Sequence, residues 1–233
     1  EIDLSDSTVL PGLIDAHVHL TSDASVNGYD SLSRSSIRNA LYGTYSAGLT
    51  LRAGFTTVRN VGADVYGDVA LRDTIGDGEV AGPRMLVAGQ ALGITGGHCD
   101  SNLLPPDYDF TGGGVADGPW AVRQKVRENN KYSADLIKFC ATGGVMSKGT
   151  NPGAQQFTQE EMDAIVDEAH TLGMKVAAHA HGTEGIKAAI KAGVDSVEHA
   201  SILDDEAIEL ALENNTTLVM DVYVSDYILE TGA

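Results

Sequence analysis

Four short stretches hold residues that could do chemistry together. His17-Val18-His19 is the first. Side chains two apart on a strand point to the same side, so both imidazoles can face one metal ion. The preceding Pro11-Gly12-Leu13-Ile14-Asp15 makes the pair more specific, and Asp15 is placed to orient an imidazole by hydrogen bond. Lys138 is the second, inside Leu136-Ile137-Lys138-Phe139-Cys140-Ala141-Thr142. An ammonium on a strand buried on both faces is costly, and burial lowers its pKa and frees the neutral amine. A neutral amine can add carbon dioxide, and the carbamate is an anion that can bridge two cations. A lysine that snorkels to water from a strand end is the plain alternative. Ala178-His179-Ala180-His181-Gly182 is the third stretch and Glu198-His199-Ala200 the fourth. His179 and His199 can each give one nitrogen to a second metal. One histidine in such a place is more often structural. Four strand ends that each offer a ligand-type residue converge on one face if the strands form a barrel.

His98, in Gly96-Gly97-His98-Cys99-Asp100, could hydrogen-bond a scissile carbonyl or a substrate carboxylate, and so could His181. A surface-loop histidine is the competing reading for His98. His170 reads as a helix-surface residue. Thr142-Gly143-Gly144-Val145-Met146-Ser147 follows the lysine strand and could line a pocket, or simply turn the chain.

These residues need elements to hold them. Apolar runs fall at 9–20, 55–61, 85–92, 136–142, 175–181, 196–200 and 217–223. Helical patterns lie between them, at 35–53, 65–75, 119–132, 158–172, 183–192 and 204–214. Thr158 with Glu161 reads as a capping box, Asp204 as an N-cap, and Gly173 and Gly193 as helix stops. Alternating strands and helices predict a parallel α/β sheet, either doubly wound or a closed (β/α)8 barrel. The count reaches seven strands, so an incomplete barrel over 10–233, truncated before its eighth strand, is expected. Residues 1–9 read as the tail of a strand belonging to an upstream segment. Gly112-Gly113-Gly114 is the most loop-like stretch of a long connection.

Composition narrows the partners. Lys+Arg is 15 against 33 Asp+Glu, a net charge of −18, which repels nucleic acid and anionic membrane surfaces. Aromatics make up only 6% of the residues, so the core must rest on aliphatic side chains, as in a parallel sheet. No apolar run reaches membrane-spanning length. The two cysteines, Cys99 and Cys140, read as small buried hydrophobes, with a single bridge left open. Assembly of copies of the chain also stays open.

The set Pro11 to His19, Lys138, His179 and Glu198-His199 resembles the binuclear amidohydrolase superfamily over nearly the whole chain. Thr95-Gly96-Gly97-His98, Lys138 to Ser147 and Ala178 to Ile186 are similar to the Xaa-Pro dipeptidase and metal-dependent Arg/Lys carboxypeptidase group. The resemblance implies a TIM barrel with a flanking β-sandwich, which this sequence does not supply. It implies two divalent ions, usually zinc. His17 and His19 would bind the buried ion, His179 and His199 the exposed one, and Lys138, as a carbamate, would bridge them. It implies hydrolysis of an amide bond in a dipeptide or N-acyl amino acid, with His98 and His181 as catalytic and substrate contacts and Tyr223 as a further substrate contact. It also implies an aspartate at the end of an eighth strand. Asp221 belongs to the seventh and is not assigned that role.

Three rivals are weighed against this reading. A mononuclear deaminase or cyclic-amide hydrolase keeps the first H-x-H but lacks the bridging lysine, so Lys138 argues against it. A non-catalytic barrel scaffold should have lost ligand residues, and each inspected position is filled. A doubly wound cofactor-binding protein needs a glycine-rich loop after its first strand, and Leu20-Thr21-Ser22-Asp23 offers none.

Overall fold

The computed structural model describes residues 3–221 and 223–231. Among the described residues seven strands alternate with seven α-helices. The strands are β1 (Leu13–Val18), β2 (Phe55–Asn60), β3 (Arg84–Val87), β4 (Leu136–Cys140), β5 (Lys175–Ala180), β6 (Ser196–His199) and β7 (Thr217–Val219). The helices are α1 (Ser36–Arg52), α2 (Gly67–Gly76), α3 (Pro119–Lys131), α4 (Gln159–Thr171), α5 (Thr183–Ala192), α6 (Asp205–Glu213) and α7 (Val224–Thr231). The α7 helix lies outside the helical patterns read from the sequence. All neighbouring strands pair in parallel, in chain order within β1–β3 and within β4–β7. The two groups are stitched at Leu92, which donates to the Lys138 carbonyl at 2.8 Å and accepts from Cys140 at 2.9 Å. The strand order is that of a (β/α)8 barrel of the TIM type.

Local chemistry explains the helix ends. Thr158 accepts from the Glu161 N–H while the Glu161 carboxylate accepts from the Thr158 N–H, closing the expected capping box on α4. Asp204 caps α6 by accepting from Ala207. Gly193 ends α5 at φ 92°, a left-handed position that suits a residue without Cβ.

Alternation along the strands separates two faces. Ile137, Phe139, Val176, Ala178 and Val197 join Met162, Ile165, Ile186 and Ile190 in a core between sheet and helices. Lys138, Ala177, His179, Ser196 and Glu198 take the alternate positions and face the barrel interior. On β1, Asp15 and His17 share one parity, while Val18 packs with the helix-side core of the first three strands.

One expectation needs revision. The run 9–20 holds a strand only over Leu13–Val18, and Leu13 and Ile14 are exposed because β1 pairs on one side alone among the described residues. Of the strand tail expected over 1–9, residues 3–9 carry a turn and unpaired chain, and residues 1 and 2 lie outside the described residues. Among the described residues no helix is long and apolar enough to cross a membrane.

Candidate metal centre and active site

The strand ends bring five histidine rings into one cluster. The His17 ring lies 5.4 Å from His19 and 4.7 Å from His199. His179 lies 4.6 Å from both His181 and His199, and His181 stacks on His199 at 4.7 Å. His98 arrives from the connection after β3 and sits 4.2 Å from His179. Lys138 shares the interior parity of His179 on the next strand and is only 3% exposed.

Each expected ligand histidine has one nitrogen fixed by a group that can only accept. His17 Nδ1 donates to Glu198 at 2.9 Å, and His19 Nδ1 to the Gly62 carbonyl at 3.0 Å. His179 Nε2 donates to the Gly143 carbonyl at 3.1 Å, and His199 Nδ1 to the Asp221 carboxylate. A carbonyl or carboxylate fixes a proton on the nitrogen it faces, so in a neutral ring the lone pair sits on the other nitrogen. Burial, reinforced by the positive charge of Lys138 and neighbouring imidazoles, holds His19 down at about 3 and pulls His179 well below the usual imidazole range. Burial also lowers His17, outweighing the raising effect of Glu198. Neutral imidazoles with presented lone pairs are what a divalent cation requires. The donor set therefore fits the metal site expected from the sequence. Among the described residues, ligand atoms of His179, His181 and His199 lie within 4.8 Å of one another.

Burial lowers the Lys138 amine to about 8, against the raising influence of Glu198 and Asp221. That leaves a usable fraction of neutral amine near neutral pH. His98 and His181 are each held at about 4, by burial first and then by neighbouring positive charge. Both rings are uncharged at pH 7, so any substrate contact they make is a hydrogen bond rather than an ion pair. Tyr223 is exposed, and its ring lies 6.2 Å from that of Tyr227.

The structure reassigns one role and adds three residues. Asp15 accepts from the His17 backbone N–H at 3.0 Å, while Glu198 orients the His17 ring. Glu198 is fully buried and in turn accepts from Arg59 at 2.7 Å and Ser196 at 2.6 Å. Burial pushes its carboxyl up, but His17, Arg59 and Lys138 outweigh that and hold it at about 2. Arg59 spans the interior, donating also to the Ala16 carbonyl at 2.7 Å. A charge inside the β2 run was the same signal that singled out Lys138 and could have found it. Asp221, which follows the seventh strand and has no eighth-strand role, holds the His199 ring. The cysteines form a Cys99–Cys140 disulfide instead of two free buried thiols. Their sequence separation is 41 residues, and only the folded return of the connection after β3 onto β4 brings them together.

Residues 8–231 match the amidohydrolase family. The chain belongs to the amidohydrolase family. It is 36% identical over 231 residues to ochratoxinase from Aspergillus niger, covering 91% of this chain and 47% of that protein. Among solved structures, a Xaa-Pro dipeptidase with bound methionine superposes with a TM-score of 0.89 at 41% identity, covering 95% of this chain and 55% of that one. A prolidase complexed with N-methylphosphonate-L-proline superposes at 0.83 with 30% identity, over 100% of this chain and 60% of that one. This amidohydrolase chain thus spans about half the length of the curated relatives it matches.

Proposed function

We propose that the protein hydrolyses the amide bond of a dipeptide or N-acyl amino acid at a centre of two divalent cations, most simply zinc. His17, His19, His179 and His199 would hold the ions, with Lys138 bridging them as its carbamate. The observation that carries this reading is the convergence of four imidazoles, each pinned by an acceptor, at the C-terminal ends of β1, β5 and β6 around the buried lysine of β4. The dipeptidase and prolidase names of the similar structures support the substrate class. When bound, the ions would lower the pKa of water and polarise the scissile carbonyl.

The chain's own residues supply the rest. Glu198 and Asp221 hold the His17 and His199 rings in register, so the ligand nitrogens do not rotate away. Neutral His98 donates a hydrogen bond to the carbonyl oxygen, where negative charge develops during attack. His181, joined to Ser201 at 2.8 Å, contacts the substrate beside His199. Tyr223 is assigned to the outer end of the substrate.

A one-ion reading has an observation of its own, the close set His179, His181 and His199. One experiment separates the two. The full-length protein is purified with zinc and bicarbonate beside Lys138→Ala, metal is counted, and dipeptides, N-acyl amino acids and nucleobases are assayed. About two ions per chain, falling sharply in the variant, with turnover of the amides, is the expected result. One ion indifferent to Lys138, with turnover of nucleobases alone, would replace this reading with the mononuclear one. No metal and no turnover would leave a binding scaffold.

A further inference from the structure

The Cys99–Cys140 disulfide joins two places that both matter to the site. Cys99 follows His98, and Cys140 ends β4 two residues after Lys138. The Cα atoms are 6.2 Å apart, an ordinary span for this bond. Between β3 and α3 the chain runs through a long connection whose sole helical element is a short 3-10 turn at Pro106–Tyr108.

Other ties on this connection are hydrogen bonds, several of them exposed. Asp100 accepts from Gly96, and Asn102 donates to the Gly96 carbonyl, both in contact with solvent. Bonds of this kind compete with water. Better shielded are the His98 N–H to Gln156 at 3.0 Å and the Gly112 N–H to Asp100 at 2.7 Å. The one covalent tie lies immediately beside His98. The surroundings are shaped to it: a Cβ on Gly93 would meet Cys99 Cβ at 2.7 Å, and a Cβ on Gly144 would meet the His98 ring at 2.2 Å. Cys140 is buried, whereas Cys99 is partly exposed and lines a cavity of about 960 Å³ that also reaches His19, His98 and Phe110.

We propose that the Cys99–Cys140 disulfide is a positioning element that sets His98 against the histidine cluster, so that reduction releases His98 and slows turnover. The kinetic half rests on the amide-hydrolase reading; the positioning half does not. The cross-link restricts a segment of 41 residues, and losing it widens the states open to the loop. A trialkylphosphine performs the reduction without a competing thiol. The S–S bond breaks, the phosphine takes the oxygen of one water to become its oxide, and that water's two protons end on the two thiols.

The test uses the full-length, metal-loaded protein purified without reductant. Thiols at Cys99 and Cys140 are counted, histidine carbethoxylation is followed residue by residue by mass spectrometry, and metal, kcat and KM are measured before and after the phosphine. Expected are no thiols at these positions before treatment and two after. His98 should then react about tenfold faster, with exposed His170 unchanged, in keeping with local opening. The kcat should fall by more than KM changes, with metal content retained. Cys99→Ala, Cys140→Ala and the double variant should show one common loss and no response to phosphine. Free thiols in the untreated protein, or His98 reactivity that ignores reduction, would overturn the proposal. Loss of metal on reduction with His98 still protected would overturn it too. If amide turnover is absent altogether, the functional reading fails, while His98 reactivity still decides the positioning.

Discussion

His17 Nδ1 and Glu198 Oε2 lie 2.9 Å apart although 181 residues separate them in the chain. The contact crosses the barrel interior from β1 to β6, and Arg59 completes it from β2 at 2.7 Å. A carboxylate with no exposure thus has a partner on each oxygen, and one of those partners is an expected metal ligand.

Glu198→Gln keeps the volume but removes the charge, leaving Arg59 without its ion pair. Unfolding free energy should fall by about 3–5 kcal/mol, as for other buried pairs broken on one side. Metal affinity should fall by about 10–100-fold, because the amide has one acceptor oxygen where His17 and Arg59 now use two, and the His17 tautomer is no longer fixed. Denaturant unfolding of the metal-free protein and competition with a chelator read these separately. Unchanged metal retention would show that His17 needs no such partner.

Acid should unfold the metal-free protein through its buried imidazoles. His19 is held at about 3 and His98 and His181 at about 4, all below the ordinary 6.5. The unfolded chain therefore binds more protons as pH falls, so the stability held above pH 6.5 is lost on the way down to about 3–4. The urea midpoint should drop across that window, and less steeply in His98→Gln. A flat midpoint would contradict this account.

Gly144→Ala places a methyl where the His98 ring now lies, at 2.2 Å from Cε1 and Nδ1. The ring must move, so kcat of the full-length enzyme should fall by about tenfold or more through lost alignment. Gly76→Ala, which meets nothing within 4 Å at the end of α2, is the control. It should stabilise by about 0.5–1 kcal/mol and leave kcat alone.

Thr158→Ala removes half of the capping box on α4, far from the chemistry. A cost of about 1 kcal/mol is expected in urea unfolding, with kinetic constants unchanged. A shift in kcat would mean that α4 transmits strain to the site.

Sequence periodicity was enough to find every strand that carries a candidate ligand, because a strand buried on both faces writes a continuous apolar run. Lys138, His179 and His17 were legible for the converse reason, as polar residues placed inside or at the end of such runs. Arg59 obeys the same rule inside the 55–61 run, where it stands between Val58 and Asn60. The Asp15 reading failed on distance: a carboxylate two residues from His17 reaches the backbone N–H more easily than the ring. Glu198, Asp221 and the disulfide depend on long-range return of the chain, which spacing does not encode.

Backbone at the end of β6 makes one candidate ligand unlike the others. Regular alternation would send His199 to the face opposite Glu198, toward the helices. Instead His199 and Ala200 both take left-handed conformations, at φ 71° and 48°, and the ring turns back to within 4.6 Å of His179. Non-glycine residues resist that conformation, so the surrounding sheet must enforce it through the Ala200 N–H to the Ala180 and Glu198 carbonyls. For anyone grafting this centre onto another parallel barrel, copying the histidines is then insufficient. The recipient must reproduce a crooked strand end, or its fourth imidazole will face the wrong layer.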